Sequence, residues 1–278
     1  MKPLRIAVYQ ARTGVDPAAN AAALADAVAE AGGGGAAMLF TPEMSGLLDR
    51  DRARAAAHYR SEADDPVLAR VRAAAAEAGI WVALGSLALL ADDGERLVNR
   101  SFLIDANGAV RARYDKMHLF DVDLPTGESW RESASFAAGA QPVVADSPLG
   151  PIGLSICYDL RFAGLYAALT GAGAVLLSIP AAFTVPTGEA HWHVLMRARA
   201  IESACFLVAA AQCGTHEDGR VTYGHSLVVD PWGRVLLDMG SDSPALGFAD
   251  LDLAEVDALR ARLPVLAHRR ALPPVHRA

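Results

Sequence analysis

The chain has few cysteines, and their scarcity argues against two classes of protein. Only Cys157, Cys205 and Cys213 occur among 278 residues, with no C-x-x-C pair between them. Such an odd, widely spaced set indicates neither a disulfide framework nor a zinc site. A chain of this length buries roughly three quarters of its unfolded surface when it folds, so it needs no such crosslink. We therefore expect reduced thiols, a reducing compartment such as the cytoplasm, and no metal.

The chain also lacks long hydrophobic runs and an excess of positive charge. No stretch approaches the ~18 apolar residues that a membrane span requires. The first apolar stretch, residues 4–10, is too short for the core of a signal peptide and resembles a first strand. The formal net charge is −7, and the basic residues are scattered apart from the pair Arg269–Arg270. We expect neither a membrane nor a nucleic acid as partner.

What is present is one unbroken α/β pattern. Strand, helix and strand at its start predict a crossover and a parallel pair, while Asn107–Gly108 predicts an antiparallel hairpin, so the sheet should be mixed. Residues 116–139 have no sustained period and predict a long functional loop. Strands are predicted at 4–10, 36–40, 80–90, 97–104, 110–114, 143–145, 152–156, 174–179, 205–212, 224–230, 234–239 and 245–251, and helices at 17–31, 65–78, from about 161, 186–203 and 253–263.

The pattern shows no compositional break, no repeat and no low-complexity linker. We therefore expect a single domain over residues 1–278. Its last part, residues 264–278, contains Pro273–Pro274 and reads as an extended arm that could wrap a neighbouring subunit.

Three residues with complementary chemistry each follow a strand-like run: Glu43, Lys116 and Cys157. Taken singly, each has an ordinary explanation, respectively a carboxylate near a helix start, a solvated lysine and a core cysteine. Cys157, however, lies where a strand gives way to a helix, and the positive end of a helix dipole would lower its pKa. Cys205 and Cys213 lie within or at the end of a late strand and are taken as structural.

Together the three residues supply what amide hydrolysis needs. An amide carbonyl is a poor electrophile, so its hydrolysis near neutral pH requires a nucleophile, a base and positive charge beside the oxyanion. Glu43 can take the thiol proton of Cys157 and return it to the departing ammonia. Lys116 and the backbone N–H of Tyr158 can stabilise the tetrahedral intermediate. This set predicts a cysteine amidohydrolase with no metal and no organic cofactor.

These residues resemble the nitrilase-related carbon–nitrogen hydrolases, whose catalytic residues are Glu, Lys and Cys in this order. The resemblance covers nearly the whole chain. It implies a four-layer α-β-β-α sandwich of two mixed sheets and a homodimer or larger assembly. Its motifs are Phe-Thr-Pro-Glu43-Met, Tyr-Asp-Lys116-Met-His-Leu-Phe-Asp, Gly-Leu-Ser-Ile-Cys157-Tyr-Asp-Leu-Arg-Phe, the run from Thr187 to Glu202 and the run from Gly224 to Gly233.

Within that family the loop after Lys116 is similar to the branch that contains omega-amidases and deaminated glutathione amidases. That branch carries a second active-site glutamate in this loop, and Glu132 occupies the matching position. By composition alone Glu132 would be a solvated loop carboxylate. The resemblance implies instead that it orients Lys116 or the substrate amide.

Substrates of that branch carry a carboxylate away from the scissile amide, which predicts a cation in the pocket. Arg161, four residues after Cys157, is the candidate, although it could equally pair with a carboxylate at a helix end. Phe183, His191 and Trp192 could line the pocket or pack beneath it. His118 and His191 are expected to be structural hydrogen-bonding residues, since the mechanism already has a base.

The sequence thus predicts an amidase that cleaves a small carboxamide to a carboxylate and ammonia through a cysteine thioester. The same three residues would also serve a nitrilase or an N-carbamoyl amino acid amidohydrolase. A hypothesis of another class is a catalytically silent ligand-binding protein of the same fold.

Overall fold

The computed structural model describes residues 3–92, 94–123 and 127–277. Its helices are α1 (Pro17–Gly33), α2 (Arg52–Ala56), α3 (Pro66–Ala78), α4 (Ala163–Gly171), α5 (Val185–Ser203) and α6 (Ala254–Arg262). Its strands are β1 (Leu4–Gln10), β2 (Met38–Phe40), β3 (Trp81–Leu90), β4 (Leu97–Ile104), β5 (Val110–Asp115), β6 (Asp121–Asp123), β7 (Ser129–Arg131), β8 (Val143–Ala145), β9 (Ile152–Leu154), β10 (Leu176–Ser178), β11 (Phe206–Ala209), β12 (Cys213–Thr215), β13 (Val221–Tyr223), β14 (Leu227–Val229), β15 (Val235–Asp238) and β16 (Ala245–Leu251).

The two large sheets have six strands each and the same pattern of parallel and antiparallel pairing. The first has the strand order β16-β1-β2-β3-β4-β5 and the second the order β15-β14-β11-β10-β9-β8. In each sheet three neighbouring strands run parallel, β1 to β3 in one and β9 to β11 in the other. The strands outside these triplets pair antiparallel. The prediction of mixed sheets is confirmed.

Period-two alternation along the strands explains why the sheets stack. Ile6 and Val8 of β1 lie in one core cluster with Leu154 of β9 and Phe206 of β11. Ala7, which points to the opposite face, lies in a second cluster with the buried residues of α1 and α3. Helices α4 and α5 contribute their buried residues to the first cluster from the outer side of the second sheet. This is the predicted four-layer α-β-β-α sandwich, with the core between and beside the sheets.

Most of the predicted elements agree with the structure to within a few residues, and the differences lie in short polar segments. The loop 116–139 contains β6 and β7, which pair as a small antiparallel sheet. A second small sheet, β12 and β13, was not predicted, and neither was the short helix α2. Three-residue strands carry too few residues for a periodic pattern to be recognised.

The segment after α6 packs partly on its own chain. The Arg269 guanidinium donates hydrogen bonds to the Ala167 carbonyl at 2.9 Å and to Thr170 Oγ1 at 2.9 Å, on α4. Beyond it, Leu272 and Val275 are exposed. Residue 278 lies outside the described residues. That 1–278 form a single domain with 264–278 as an arm stays a prediction.

Within the described part of the chain, no helix combines the length and the apolar character that crossing a membrane would require.

Candidate active site

Glu43 follows β2, and the backbone around it is held by neighbouring strands. The Glu43 carbonyl accepts a hydrogen bond from Gln212 Nε2 at 2.9 Å, and its Oε2 accepts one from the Ala182 N–H at 2.9 Å. Gly85 of β3 lies directly beneath this segment, where a Cβ would be 2.0 Å from the Thr41 carbonyl oxygen. Only a glycine leaves room for the chain that presents Glu43.

Lys116 follows β5 and points to the same place. Its backbone N–H donates to the Asn99 carbonyl at 2.9 Å. Its Nζ lies 2.9 Å from Glu43 Oε1 and 2.9 Å from Glu132 Oε2, and the side chain is 3% exposed. Two carboxylates therefore pair with one buried ammonium group.

Glu132 comes from the loop after β7, and its position depends on that small sheet. The Phe120 N–H donates to Glu132 Oε2 at 2.6 Å. Asn99 Nδ2 donates to Glu43 Oε1 at 2.9 Å and to Glu132 Oε1 at 3.3 Å, so one amide bridges both carboxylates. Sequence reasoning missed Asn99, because an asparagine within an apolar strand carries no motif.

Cys157 begins a 3-10 turn, Cys157–Arg161, directly after the second sheet. Its φ is +50°, a left-handed conformation that is costly for a residue with a side chain. Its N–H donates to the Pro180 carbonyl at 2.9 Å, which helps to hold the strained backbone. A sharp turn of this kind fixes a thiol at the end of a sheet.

These four residues form what we call the buried cluster: Glu43, Lys116, Glu132 and Cys157. Burial raises the pKa of Glu43, but the Lys116 charge and hydrogen bonds outweigh burial, and the net pKa is lowered. Burial lowers the pKa of Lys116, but the Glu132 and Glu43 charges outweigh it, and the net pKa lies well above its usual value. The cluster thus holds an ionised Glu43 beside a charged lysine at neutral pH.

The expectation that a helix dipole lowers the pKa of Cys157 is wrong. Burial, followed by the Glu43 charge, raises the pKa of the Cys157 thiol well above its usual value, and Lys116 opposes this only in part. The turn that follows has five residues and the regular helix α4 begins only at Ala163. The thiol is therefore protonated at rest, and its attack needs a base.

Asp159 joins the loop after β5 to the turn that carries Cys157. It is fully buried. Its Oδ2 accepts from Tyr114 Oη at 2.7 Å and from the Ile156 N–H at 2.9 Å. Its Oδ1 lies 2.6 Å from His118 Nδ1. His118 therefore takes the structural part expected of it, since it couples the Lys116 loop to the Cys157 turn.

The buried cluster opens into a cavity of about 490 Å³. Among the residues predicted to bind substrate, Tyr158, Arg161 and Phe183 line the cavity. The Arg161 guanidinium lies 5.9 Å from the Tyr158 ring and 5.6 Å from the Phe183 ring. These three residues are thus brought together with the buried cluster.

His191 and Trp192 do not line that cavity, which corrects their assignment as substrate-binding residues. Trp192 is fully buried, packs edge-on against Phe183 at 4.7 Å between ring centroids, and donates to the His225 carbonyl. His191 is exposed, and its Nδ1 lies 3.2 Å from Arg161 Nη1. Trp192 therefore supports the cavity wall through Phe183, and His191 contacts Arg161 from outside the cavity.

Sequence reasoning missed three further residues that line the cavity, Arg50, Trp130 and Arg220. Trp130 lies in the long loop that was predicted to be functional. Arg220 immediately precedes β13 in the hairpin that the sequence did not predict. Isolated arginines carry no signal until the fold brings them to one cavity.

The fold and this chemistry define a class of protein, and comparisons with known proteins identify the same class. The family model described as carbon–nitrogen hydrolase matches residues 5–261. A deaminated glutathione amidase from Yersinia enterocolitica is 38% identical over 272 residues, which cover 97% of this chain and 94% of the relative.

Two solved structures share the fold. The C. elegans NitFhit protein superposes with a TM-score of 0.89 at 39% identity, covering 97% of this chain and 66% of that longer chain. A mutant amidase from Nesterenkonia sp. AN1, in which acrylamide has added to the active-site cysteine, has a TM-score of 0.76 at 31% identity, covering 94% of this chain and 98% of that one.

The chain belongs to the carbon–nitrogen hydrolase family. Within it, the chain is a hydrolase that acts on carbon–nitrogen bonds other than peptide bonds. The four-layer fold expected from the resemblance is confirmed.

Proposed function

We propose that the chain hydrolyses a small carboxamide through a thioester on Cys157. The observation that supports this most directly is the placement of Glu43, which interacts with Lys116 and with the Cys157 thiol at the end of one cavity. A base that stays ionised, beside a thiol that stays protonated, is the starting state that proton transfer during attack requires.

The proposed reaction proceeds in two halves. Glu43 takes the thiol proton as the Cys157 sulfur bonds to the amide carbon, and Lys116 and the Tyr158 N–H stabilise the oxyanion. The oxyanion collapses, the carbon–nitrogen bond breaks, and the departing nitrogen takes the proton from Glu43. Water then attacks the thioester and gives a proton to Glu43. Collapse of this second intermediate releases the carboxylate, and the sulfur recovers its proton.

For the substrate we propose deaminated glutathione or the omega-amide of a 2-oxo dicarboxylate. The name of the Yersinia relative supports the first. Both compounds carry a carboxylate on the acyl part, and Arg161, the last residue of the turn that begins at Cys157, offers a planar guanidinium for it. Glu132 is proposed to hold Lys116 in place, and Phe183 to form the wall beside the acyl chain.

The test is turnover by the Cys157→Ala variant. The wild type should hydrolyse deaminated glutathione or 2-oxoglutaramate, and the variant should lose at least about 1,000-fold in kcat while its melting temperature stays within a few degrees. Cys205→Ala is the matched control, because Cys205 is also buried but lies outside the cavity. Unchanged turnover by Cys157→Ala would refute the mechanism.

The alternatives are separated by the same assay with other substrates. A nitrile or an N-carbamoyl amino acid as sole substrate would identify a nitrilase or a carbamoyl amidohydrolase, which could use the same buried cluster. Binding of the amides without any turnover would identify a silent ligand-binding protein.

We further propose that the chain forms a homodimer or a larger homo-oligomer and works in the cytoplasm. Val194 and Ile201 are exposed on α5, and the exposed Trp232 lies in the turn whose Gly233 packs against Ile201. An apolar patch of this kind is typical of an interface. The three cysteines are free, which suits a reducing compartment.

A further inference from the structure

We infer that Arg220, Arg50 and Trp130 form a second anion-binding subsite, which binds a carboxylate on the leaving-group part of the substrate. This inference rests on the proposed amidase function and narrows its substrate class. It concerns residues that line the same cavity as Arg161 and to which no motif in the sequence points.

The three side chains are in contact and share the cavity with the buried cluster. The Arg220 guanidinium lies 5.0 Å from the centroid of the Trp130 ring, and the Arg50 guanidinium lies 5.5 Å from it. Two positive charges therefore flank one indole. Their mutual repulsion is relieved if an anion lies between or beside them.

The polar groups of this subsite are incompletely paired among the described residues. The Arg220 Nε and the Trp130 Nε1 are buried donors without a hydrogen-bond partner there. Arg220 Nη2 lies 3.4 Å from Asp218 Oδ2, and Arg50 Nη2 lies 3.9 Å from Glu128 Oε1. Buried donors are nearly always satisfied, so unpaired ones that line a cavity indicate a ligand that accepts from them.

The neighbouring acids do not complete this pairing. The Arg220 side chain is only 17% exposed, and Asp218 Oδ2 itself lacks hydrogen-bond geometry to any described donor. Asp49, a further nearby carboxylate, is already held by the Arg54 guanidinium at 2.6 and 2.8 Å. One more carboxylate can therefore bind here without displacing an existing ion pair.

An aromatic strip connects this subsite to Arg161 and passes the buried cluster. Ring centroids are 6.2 Å apart between Trp130 and Phe120, and 5.1 Å apart between Phe120 and Tyr158, whose ring faces Arg161. Phe120 donates its N–H to Glu132, and Tyr158 follows Cys157 in the chain. The two cationic groups thus contact the two end rings of the strip, Trp130 and Tyr158, and the strip adjoins Glu132 through Phe120 and Cys157 through Tyr158.

This arrangement selects an amide that carries a carboxylate on each side of the scissile bond. The acyl carboxylate binds at Arg161, in the same turn as Cys157, and the carboxylate of the leaving group binds at Arg220, Arg50 and Trp130. Deaminated glutathione has both, because its leaving group is a dipeptide that ends in a carboxylate. An omega-amide that releases ammonia has only the first and leaves the second subsite unused.

The experiment compares Arg220→Gln with the wild type on three substrates: deaminated glutathione, the same compound with its terminal carboxylate amidated, and 2-oxoglutaramate. On deaminated glutathione the variant should lose about 10- to 100-fold in kcat/KM, mainly through KM, which is the scale of one charge-assisted hydrogen bond. On the other two substrates the kcat/KM of the variant should fall by less than about threefold. Arg131→Gln is the matched control, because the Arg131 guanidinium lines the same cavity but already donates to Asp123 and to backbone carbonyls.

Trp130→Phe tests the same point without removing a charge. It keeps an aromatic ring and deletes one hydrogen-bond donor, so kcat/KM should fall only on deaminated glutathione, by about 3- to 10-fold. It decides the outcome if Arg220→Gln does not fold.

Equal losses on all three substrates, or no loss on any, would overturn the inference and leave the amidase function standing. If the wild type turned over none of the three, the proposed function itself would fail. The two failures are therefore distinguishable.

Discussion

At the scale of single residues, the proton on Cys157 decides how the site can work. The pKa of Cys157 is raised by burial and by the Glu43 charge, while the net pKa of Glu43 is lowered by Lys116 and its hydrogen bonds despite burial. Before substrate binds, the proton therefore stays on the Cys157 thiol and Glu43 stays ionised. Reactivity depends on Glu43 taking the proton as the new bond forms.

This predicts an unusual pH dependence for alkylation of Cys157. The rate with iodoacetamide should be nearly constant between about pH 6 and 9, whereas an isolated thiol reacts about tenfold faster per pH unit until it is ionised. Because the pKa of Glu43 is lowered, the acid limb should lie below pH 4.5. Stopped-flow alkylation measures the profile, with Glu43→Gln as the control that should react slowly and show a steep rise with pH. A tenfold rise per unit in the wild type would contradict the scheme.

Glu132 should matter through Lys116. Replacing Glu132 by glutamine leaves Lys116 with one carboxylate instead of two, so we expect kcat to fall by about 10- to 100-fold with little change in melting temperature. Steady-state kinetics and thermal unfolding measure the two effects. Asp123→Asn is the control, since Asp123 is an exposed carboxylate of the same small sheet. Equal effects of the two substitutions would contradict a specific role for Glu132.

At the scale of elements, the site depends on where strands end. Glu43 follows β2, Lys116 follows β5 and Cys157 comes shortly after β9. Strands β2 and β5 belong to the first sheet and β9 to the second, so the stacking of the two sheets brings the three residues to one cavity. The register of β3 shifts between Leu84 and Leu87, at the point where Gly85 passes under the Glu43 segment. The irregularity in β3 thus helps to position Glu43, which follows the neighbouring strand β2.

Gly85→Ala should disrupt the active site by displacing the segment that presents Glu43. The new Cβ would lie 2.0 Å from the Thr41 carbonyl oxygen and 2.2 Å from the Pro42 carbonyl oxygen, so backbone must move. We expect a loss of about 3 kcal/mol in unfolding free energy, measured by denaturant titration, and a large loss of kcat. Gly164→Ala is the control, because a Cβ at Gly164 in α4 meets nothing within 4 Å. Wild-type stability in Gly85→Ala would contradict the crowding.

At the scale of the whole molecule, helices cover the outer faces of both sheets, yet α5 and the turn between β14 and β15 leave apolar residues exposed. Val194 of α5 is 69% exposed and Trp232 is 63% exposed. Neither belongs to the cavity, so catalysis does not explain them. A second copy of the chain would bury such side chains, which is the basis of the proposed homo-oligomer.

The double variant Val194→Glu, Trp232→Glu should shift the assembly towards the monomer. Two carboxylates in an apolar interface would lose hydration without gaining a partner, which costs several kcal/mol. Light scattering after gel filtration measures the mass. Ala29→Glu on the exposed face of α1, in the opposite outer layer, is the control that should leave the mass unchanged. An unchanged mass of the double variant would place the interface elsewhere.

The sequence by itself determined most of the helices and strands and the identity of the reactive groups, while the four-layer arrangement came from the family resemblance. Period-two and period-3.6 patterns are local consequences of burial, so the elements carrying Glu43, Lys116 and Cys157 could be predicted from neighbouring residues. Only the tertiary structure decided that Cys157 is a protonated thiol and that His191 and Trp192 lie outside the cavity. The contacts of Asn99 with the two carboxylates and of Arg220 with Trp130 were also visible only in the tertiary structure. Burial, charge and helix orientation at these residues depend on side chains far away in the chain, and no local pattern records them.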